Sequence, residues 1–171
     1  MVQSFDLRVA TPADFASVSA LLEASYPALF APSYAPQALV KALPLIIRAN
    51  PRLLQSGKFY LALTPHEHVV GCGGWSKERP GTGETEGSQG HVRHFATHPD
   101  WIRRGVGRAI FARCVQDAMA DGISSFECYS SLVAVEFYHA LGFAIIRNMD
   151  LQLAEGVSIP GVLMRYEIAD R

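Results

Sequence analysis

Residues 91–108 read His-Val-Arg-His-Phe-Ala-Thr-His-Pro-Asp-Trp-Ile-Arg-Arg-Gly-Val-Gly-Arg. An apolar-rich strand runs into a short turn holding Gly105 and Gly107, and a helical pattern follows at once. Strand, turn and helix in direct succession are the working unit of a layered sheet-and-helix domain. The turn also places several backbone N–H groups at a helix N-terminus, where the dipole is positive and the donors lack intrahelical partners. Glycine has no Cβ, so the backbone there can approach a ligand closely. Arg103 and Arg104 before the turn and Arg108 after it add positive charge. The physical reading is an anion site suited to a pyrophosphate.

Two common phosphate loops do not fit. A Walker loop needs Lys and then Ser or Thr after its last glycine, whereas Gly107 is followed by Arg108 and Ala109. A dinucleotide fingerprint needs a third glycine where Ile110 stands, and an acid some twenty residues on, where Glu127 sits by chance as well as by design. A glycine turn that only lets a strand meet a helix is the competing reading.

A second motif separates them. Residues 131–143 read Ser-Leu-Val-Ala-Val-Glu-Phe-Tyr-His-Ala-Leu-Gly-Phe. Together with the loop this resembles the GNAT superfamily of acyl-CoA N-acyltransferases. Gly105 and Gly107 match the family's loop, and Ala134, Phe137, Tyr138, Leu141, Gly142 and Phe143 match its downstream pattern. His98-Pro99-Asp100-Trp101 resembles the segment leading into the loop. The chain departs at Ile102, where the family has Arg or Gln, and at Ser131, where it has Asn. The core of the resemblance spans residues 91–147.

Length and composition agree with a single domain over residues 1–171, since one hydrophobic core suits a chain of this size and 49% of its residues are hydrophobic. A net charge of −1 gives no general affinity for nucleic acid or an anionic membrane. The first residues lack the basic start and apolar run of a signal peptide, and no apolar stretch approaches the ~20 residues of a membrane span. Cys72, Cys114 and Cys128 are odd in number and in apolar contexts. They read as reduced core cysteines of a cytoplasmic protein.

Along the chain, Phe5, Leu7 and Val9 alternate as a first strand. Thr11 caps a helix beginning at Pro12, with Phe15, Val18, Leu21 and Leu22 as its buried stripe. After Pro27 a second helical segment runs from Pro36 to Ile47. Residues 58–64 and 69–76 form a hairpin, where Gly71, Gly73 and Gly74 point to a bulge or close backbone contact. The glycine-rich stretch 79–90 reads as a mobile loop. Residues 91–97 form the central strand. The loop helix runs from Gly105 to Ala120, covers the sheet with Val106, Ile110, Val115, Ala118 and Met119, and stops at Gly122. A strand over 124–129 and a short helix over 132–141 follow. A closing pair over 143–153 and 162–168 flanks a turn holding Gly156, Pro160 and Gly161. The resemblance implies an α/β (α+β) fold with a mixed, mostly antiparallel sheet of about six to seven strands, helices on both faces and splayed central strands.

The resemblance also implies a reaction: direct transfer of an acetyl group from acetyl-CoA to a primary amine of a small molecule or peptide, without a metal. Backbone from Arg103 through Gly105, Val106 and Gly107 to Arg108 would hold the pyrophosphate, and Ser131, Ala134 and Phe137 would make further cofactor contacts. An amide among Phe95, Ala96 and Thr97 would face the thioester oxygen. Tyr138 aligns with the family's proton donor to the departing thiolate, against simple aromatic packing. His91 is the candidate base, standing where relatives often carry a carboxylate, and histidine does this work near neutral pH. By alternation His91, Arg93, Phe95 and Thr97 share one face, with Val92, His94 and Ala96 on the other. His94 is therefore the second choice unless a bulge changes the register, and a hydrogen-bonded sheet histidine or a water chain competes with both. His66, Glu67 and His68 lack a third partner and read as solvated turn residues rather than metal ligands. Trp101 either stacks on adenine or covers the surface.

The acceptor's identity is not legible. Its pocket is expected between residues 36–54, the 79–90 loop and the turn near 157–161, with Arg48, Arg52 and Glu78 as candidate selectors. The family makes a homodimer an expectation. An acyl-CoA-binding sensor that has lost catalysis is the alternative function.

Overall fold

The computed structural model describes residues 4–168. Among them, strands β1 (Asp6–Val9), β2 (Phe59–Leu63), β3 (Val69–Ser76), β4 (Gln89–Thr97), β5 (Ser125–Ser131), β6 (Ala144–Ala154) and β7 (Val157–Glu167) form one sheet in the order β1-β2-β3-β4-β5-β7-β6. Neighbours are antiparallel except β4 and β5, which run parallel. Helices α1 (Phe15–Phe30), α2 (Pro36–Ile46), α3 (Pro51–Gln55), α4 (Val106–Ala120) and α5 (Val135–Leu141) complete the layers. This is the expected mixed sheet with helices on both faces.

One face packs against α4 and α5. Val106, Ile110, Phe111, Cys114 and Ala118 of α4 join Trp75, Val92, Phe126, Cys128 and Met164 of the sheet in a continuous core. Of the expected stripe, Val106, Ile110, Val115 and Ala118 pack here, Met119 does not, and Phe111 and Cys114 join them. Val106, Ile110, Cys114 and Ala118 follow one i, i+4 ridge with Phe111 beside it, and Met119, one residue beyond, turns to solvent. The other face packs against α1 and α3 through Val18, Leu21, Leu22, Leu53 and Leu54. α2 closes its far side on Ile159. The three cysteines are buried and unbridged.

Four further boundaries differ from the sequence reading, one being that β4 already begins at Gln89, inside the 79–90 stretch expected to be a loop. Thr11 and Pro12 open a single 3-10 turn, Pro12–Asp14, before α1 begins at Phe15. α1 does not yield at Pro27 but runs through it to Phe30, where Tyr26, Phe30 and Tyr34 stack in series and hold the last turn in place. Pro160 and Gly161 lie inside β7, and the hairpin turns at Gly156 with φ +72°. Tertiary pairing overrides the turn signal here: Gly161 pairs with Ser131 of β5 and Met149 of β6. Pro160 lies just past the last β5 pair, where a missing N–H is tolerated.

The bulge falls opposite Gly73. Cys72 pairs with Ala96 and Gly74 with Arg93, so Gly73 faces both His94 and Phe95. His94 takes φ +51°, and a Cβ on Gly73 would come within 2.8 Å of the Phe95 ring. The extra residue changes which side chains share a face, correcting the simple alternation. Val92 and Phe95 both join the α4-side core, while Ala96 joins the α1 side.

Candidate active site

The parallel pair β4–β5 is short. Gln89, Gly90 and His91 pair with Ser125, Phe126 and Glu127, and no pair follows. β4 continues along β3 to Thr97, whereas β5 continues along β7 to Ser131. The strands therefore diverge toward their C-terminal ends, the usual ligand-binding end of parallel strands. Phe95, Ala96 and Thr97 line the β4 side of this gap.

The anion loop opens at the same end. His98 caps the 3-10 turn Pro99–Trp101, its Nδ1 accepting from the Asp100 N–H at 3.1 Å. Arg103 and Gly105 both have left-handed backbones, with φ of +60° and +80°. Left-handed residues interleaved with ordinary ones turn successive N–H groups to one side, forming an anion nest. Gly105 is the N-cap of α4, so the N–H groups of Val106, Gly107 and Arg108 belong to its first turn and point into the loop. Residues 102–105 are exposed, and the Arg104 guanidinium lies over the Trp101 ring at 5.3 Å. Trp101 thus serves in part to hold Arg104.

Gly105 and Gly107 act differently. A Cβ on Gly105 would meet nothing within 4 Å, so its requirement is the left-handed backbone. A Cβ on Gly107 would fall 2.7 Å from the Phe137 ring. Gly107 therefore lets α5 dock on the first turn of α4, joining the two sequence motifs in space. Phe137 also packs near Phe95, with ring centroids 6.2 Å apart. Ser131 ends β5, and the 3-10 turn Leu132–Ala134 carries the chain into α5. The Tyr34 hydroxyl ties this turn down, accepting from the Leu132 N–H at 2.7 Å and donating to the Pro160 carbonyl at 2.8 Å.

Tyr138 is buried among Phe95, Phe137 and Phe143, with the Cys128 thiol alongside. Burial, reinforced by Cys128 and Tyr26, holds its phenol protonated well above the usual tyrosine range. Tyr26 reaches the gap from α1 and donates its hydroxyl to the Phe95 carbonyl at 3.1 Å. The sequence reading missed Tyr26. It lies one turn beyond Leu22 on the same buried stripe, and extending that stripe by one turn, up to Pro27, would have found it.

His91 stands at the last β4–β5 pair, 2% exposed, and neither ring nitrogen has a hydrogen-bond partner among the described residues. Glu127, directly across the ladder, brings a carboxylate oxygen to 4.0 Å from Nδ1. Burial lowers the His91 pKa and Glu127 only partly offsets it, so the imidazole is neutral at pH 7 and able to accept a proton. Glu127, the residue the dinucleotide test dismissed, is thus the nearest acid to the candidate base.

His94, the second-choice base, sits in the bulge with its Nδ1 buried and unpartnered and its pKa pushed down to about 4 by burial. A histidine with a folded-state pKa below its unfolded value destabilises the fold as pH drops from about 6.5 towards 4, because the unfolded chain takes up the proton first. The full effect is about 3 kcal/mol. His94→Asn tolerates the left-handed backbone and removes the titration. We expect its melting temperature to fall less than wild type between pH 7 and pH 4.5; equal losses would assign acid sensitivity elsewhere.

His66, Glu67 and His68 form the exposed β2–β3 turn, and among the described residues no group of three or more His, Cys, Asp or Glu converges on a metal position. No helix among the described residues is long and apolar enough to cross a membrane.

Comparison with known proteins agrees with this geometry. The family model described as acetyltransferase (GNAT) domain matches residues 30–167. The fold is similar to the GCN5-related N-acetyltransferase of Rhodopseudomonas palustris, with a TM-score of 0.73, 24% identity and 98% of each chain covered. It is similar to the PaiA N-acetyltransferase of Thermoplasma acidophilum, solved in complex with coenzyme A, with a TM-score of 0.70, 14% identity and coverage of 96% of this chain and 99% of that one. It is also similar to the ribosomal-protein-S18-alanine N-acetyltransferase of Escherichia coli, with a TM-score of 0.63, 13% identity and coverage of 98% and 96%. At these identities the likeness is one of fold. No curated protein sequence matches the chain significantly. Loop, gap and aromatic helix thus stand in the frame their motifs suggested, and the chain belongs to the GNAT acetyltransferase family.

Proposed function

We propose that the protein is a cytoplasmic N-acetyltransferase that moves an acetyl group from acetyl-CoA to the primary amine of a small molecule or peptide by direct attack. The observation that carries this reading is the β4–β5 gap, which opens between an anion-binding loop and a buried tyrosine. A pyrophosphate suits the exposed amides of Val106, Gly107 and Arg108 with Arg103 and Arg104 beside them. A slender thioester arm suits the gap, and the coenzyme A complex of the Thermoplasma relative supports this fit. Acetyl-CoA supplies an activated acyl group.

The chain's own residues supply the rest. An N–H on the β4 edge from Phe95 to Thr97 stabilises charge developing on the acyl oxygen. Tyr138 holds a proton for the departing sulfur. His91, neutral and beside Glu127, accepts the amine proton directly or through one water. Ser131, Ala134 and Phe137 shape the cofactor side, with a hydroxyl at 131 in place of the family's amide. Retention of Tyr138 and of the whole loop favours an enzyme over an acyl-CoA sensor.

The test is acetyl-CoA turnover against a panel of amines, followed by free thiol; acetyl-CoA binding without turnover of any amine would favour the sensor. A second arm addresses His91. The wild-type kcat/KM should rise with pH. His91→Gln should lower it most at low pH, and the gap should close at high pH, where the amine is already neutral. Parallel profiles would replace His91 by a water relay.

A further inference from the structure

The acetyl-transfer reading above leaves open what the acceptor carries besides its amine, and the α1 side of the sheet bears on that. Ser76 pairs with His91 across the β3–β4 ladder, and Glu127 pairs with His91 across the β4–β5 ladder, so their side chains share that face. Arg93 follows His91 by two residues, before the bulge, and shares it as well. Arg79, from the β3–β4 connection, lies beside Tyr129 and near His91.

Arg79 and Arg93 differ in their partners. Arg79 pairs with Glu84 at 3.4 Å and Glu86 at 3.1 Å, both within its own connection. Arg93 is half-buried, and among the described residues no carboxylate lies within ion-pair distance of it; Glu78 acts on its charge only from farther off. It makes a single side-chain hydrogen bond, Nη1 to the Ser76 hydroxyl at 3.0 Å, and its other nitrogens are not among the fully buried polar atoms that lack a partner. Partial burial of a guanidinium is costly unless an anion accompanies it. The planar fork of donors left free matches a carboxylate bidentately.

We propose that Arg93 binds an anionic group of the acceptor, so that the substrate is an amine that also bears a carboxylate. The spacing suits this. Two residues along a strand separate His91 and Arg93 by about 6–7 Å, the scale of an amino acid's ammonium-to-carboxylate reach with its bound partners. Glu127 beside His91 complements the ammonium end, and Arg93 the carboxylate end. A zwitterion meets one charge of opposite sign at each position. A neutral amine would leave the guanidinium unpaired, and a site built around a polar partner discriminates strongly against a ligand that lacks it.

The test compares matched acceptors on the intact enzyme: L-amino acids, their carboxamides, the corresponding decarboxylated amines, and dipeptides, each followed by thiol release. Wild type should favour the acids by about 10²-fold in kcat/KM. Arg93→Gln should remove that preference mainly through KM, leaving the carboxamides within a few-fold, and Arg93→Lys should restore part of it. Dipeptides as good as free amino acids would overturn the spacing argument, since their carboxylate lies about one residue farther from the amine. Equal wild-type kcat/KM for acids and carboxamides overturns the assignment, and this outcome does not depend on either variant folding. Acetylation of neutral amines alone removes the Arg93 role while leaving the transferase reading intact. Failure to acetylate any amine, with acetyl-CoA still bound, removes both.

Discussion

Tyr138→Phe is expected to lower kcat by about 10² or more while leaving acetyl-CoA affinity within a few-fold. The ring stays in its aromatic nest with Phe95, Phe137 and Phe143, so packing is preserved and only the hydroxyl is lost. In water a phenol giving its proton to a thiolate is uphill by about 1.5 pKa units, or about 2 kcal/mol. Burial raises the Tyr138 phenol further, which taken alone would worsen the transfer. A thiolate formed in the same gap suffers the same loss of water, so its own proton affinity rises alongside. The difference between the two groups governs the step, and it changes less than either value. Equal kcat for the variant with a good amine, measured by thiol release, would reduce Tyr138 to a packing residue.

Much of the strand, loop and helix that frame the candidate site is legible in two motifs. Residues 91–108 and 131–143 define strand, loop and helix through local chemistry: glycines where a left-handed backbone is needed, arginines at a helix start, aromatics on a short amphipathic turn. Gly107 shows why the two motifs occur together, since its missing side chain is the space that Phe137 fills. What local reading could not supply was set by partners distant in sequence. The face presented by Phe95 depends on one extra β4 residue opposite Gly73, and a period-two pattern cannot register a bulge. Tyr26 reaches the gap because it keeps its place in α1 although a proline follows it, against the usual restriction on the residue before proline. Pro160 and Gly161 read as a turn by composition yet sit in β7 because β5 and β6 flank that strand. Glu127 gains its relation to His91 from a three-residue parallel ladder that no spacing in the sequence encodes.

Reversing the loop's charge should separate ligand binding from folding. Gly107 is a poor probe, because any side chain there strikes Phe137 and disturbs the α4–α5 contact as well as the anion site. Arg103, Arg104 and Arg108 are exposed, so their replacement leaves the core untouched. In the triple variant Arg103→Glu, Arg104→Glu, Arg108→Glu, three cations become anions around the amides that would hold a pyrophosphate. Two effects then act in opposite directions. Acids near the N-terminus of α4 favour the helix dipole by about 0.3–1 kcal/mol each, so the melting temperature should hold or rise. The same acids repel a bound anion, and the Kd for acetyl-CoA should rise by about 10² or more, equivalent to some 3 kcal/mol. Loss of affinity should also flatten the salt dependence of binding seen in wild type, since fewer opposite charges remain to be screened. Calorimetry at two ionic strengths with a parallel thermal melt measures all three quantities. Unchanged affinity in a folded triple variant would move the pyrophosphate away from this loop, leaving Gly105 as the turn from β4 into α4 and Gly107 as the space that lets α5 dock on α4.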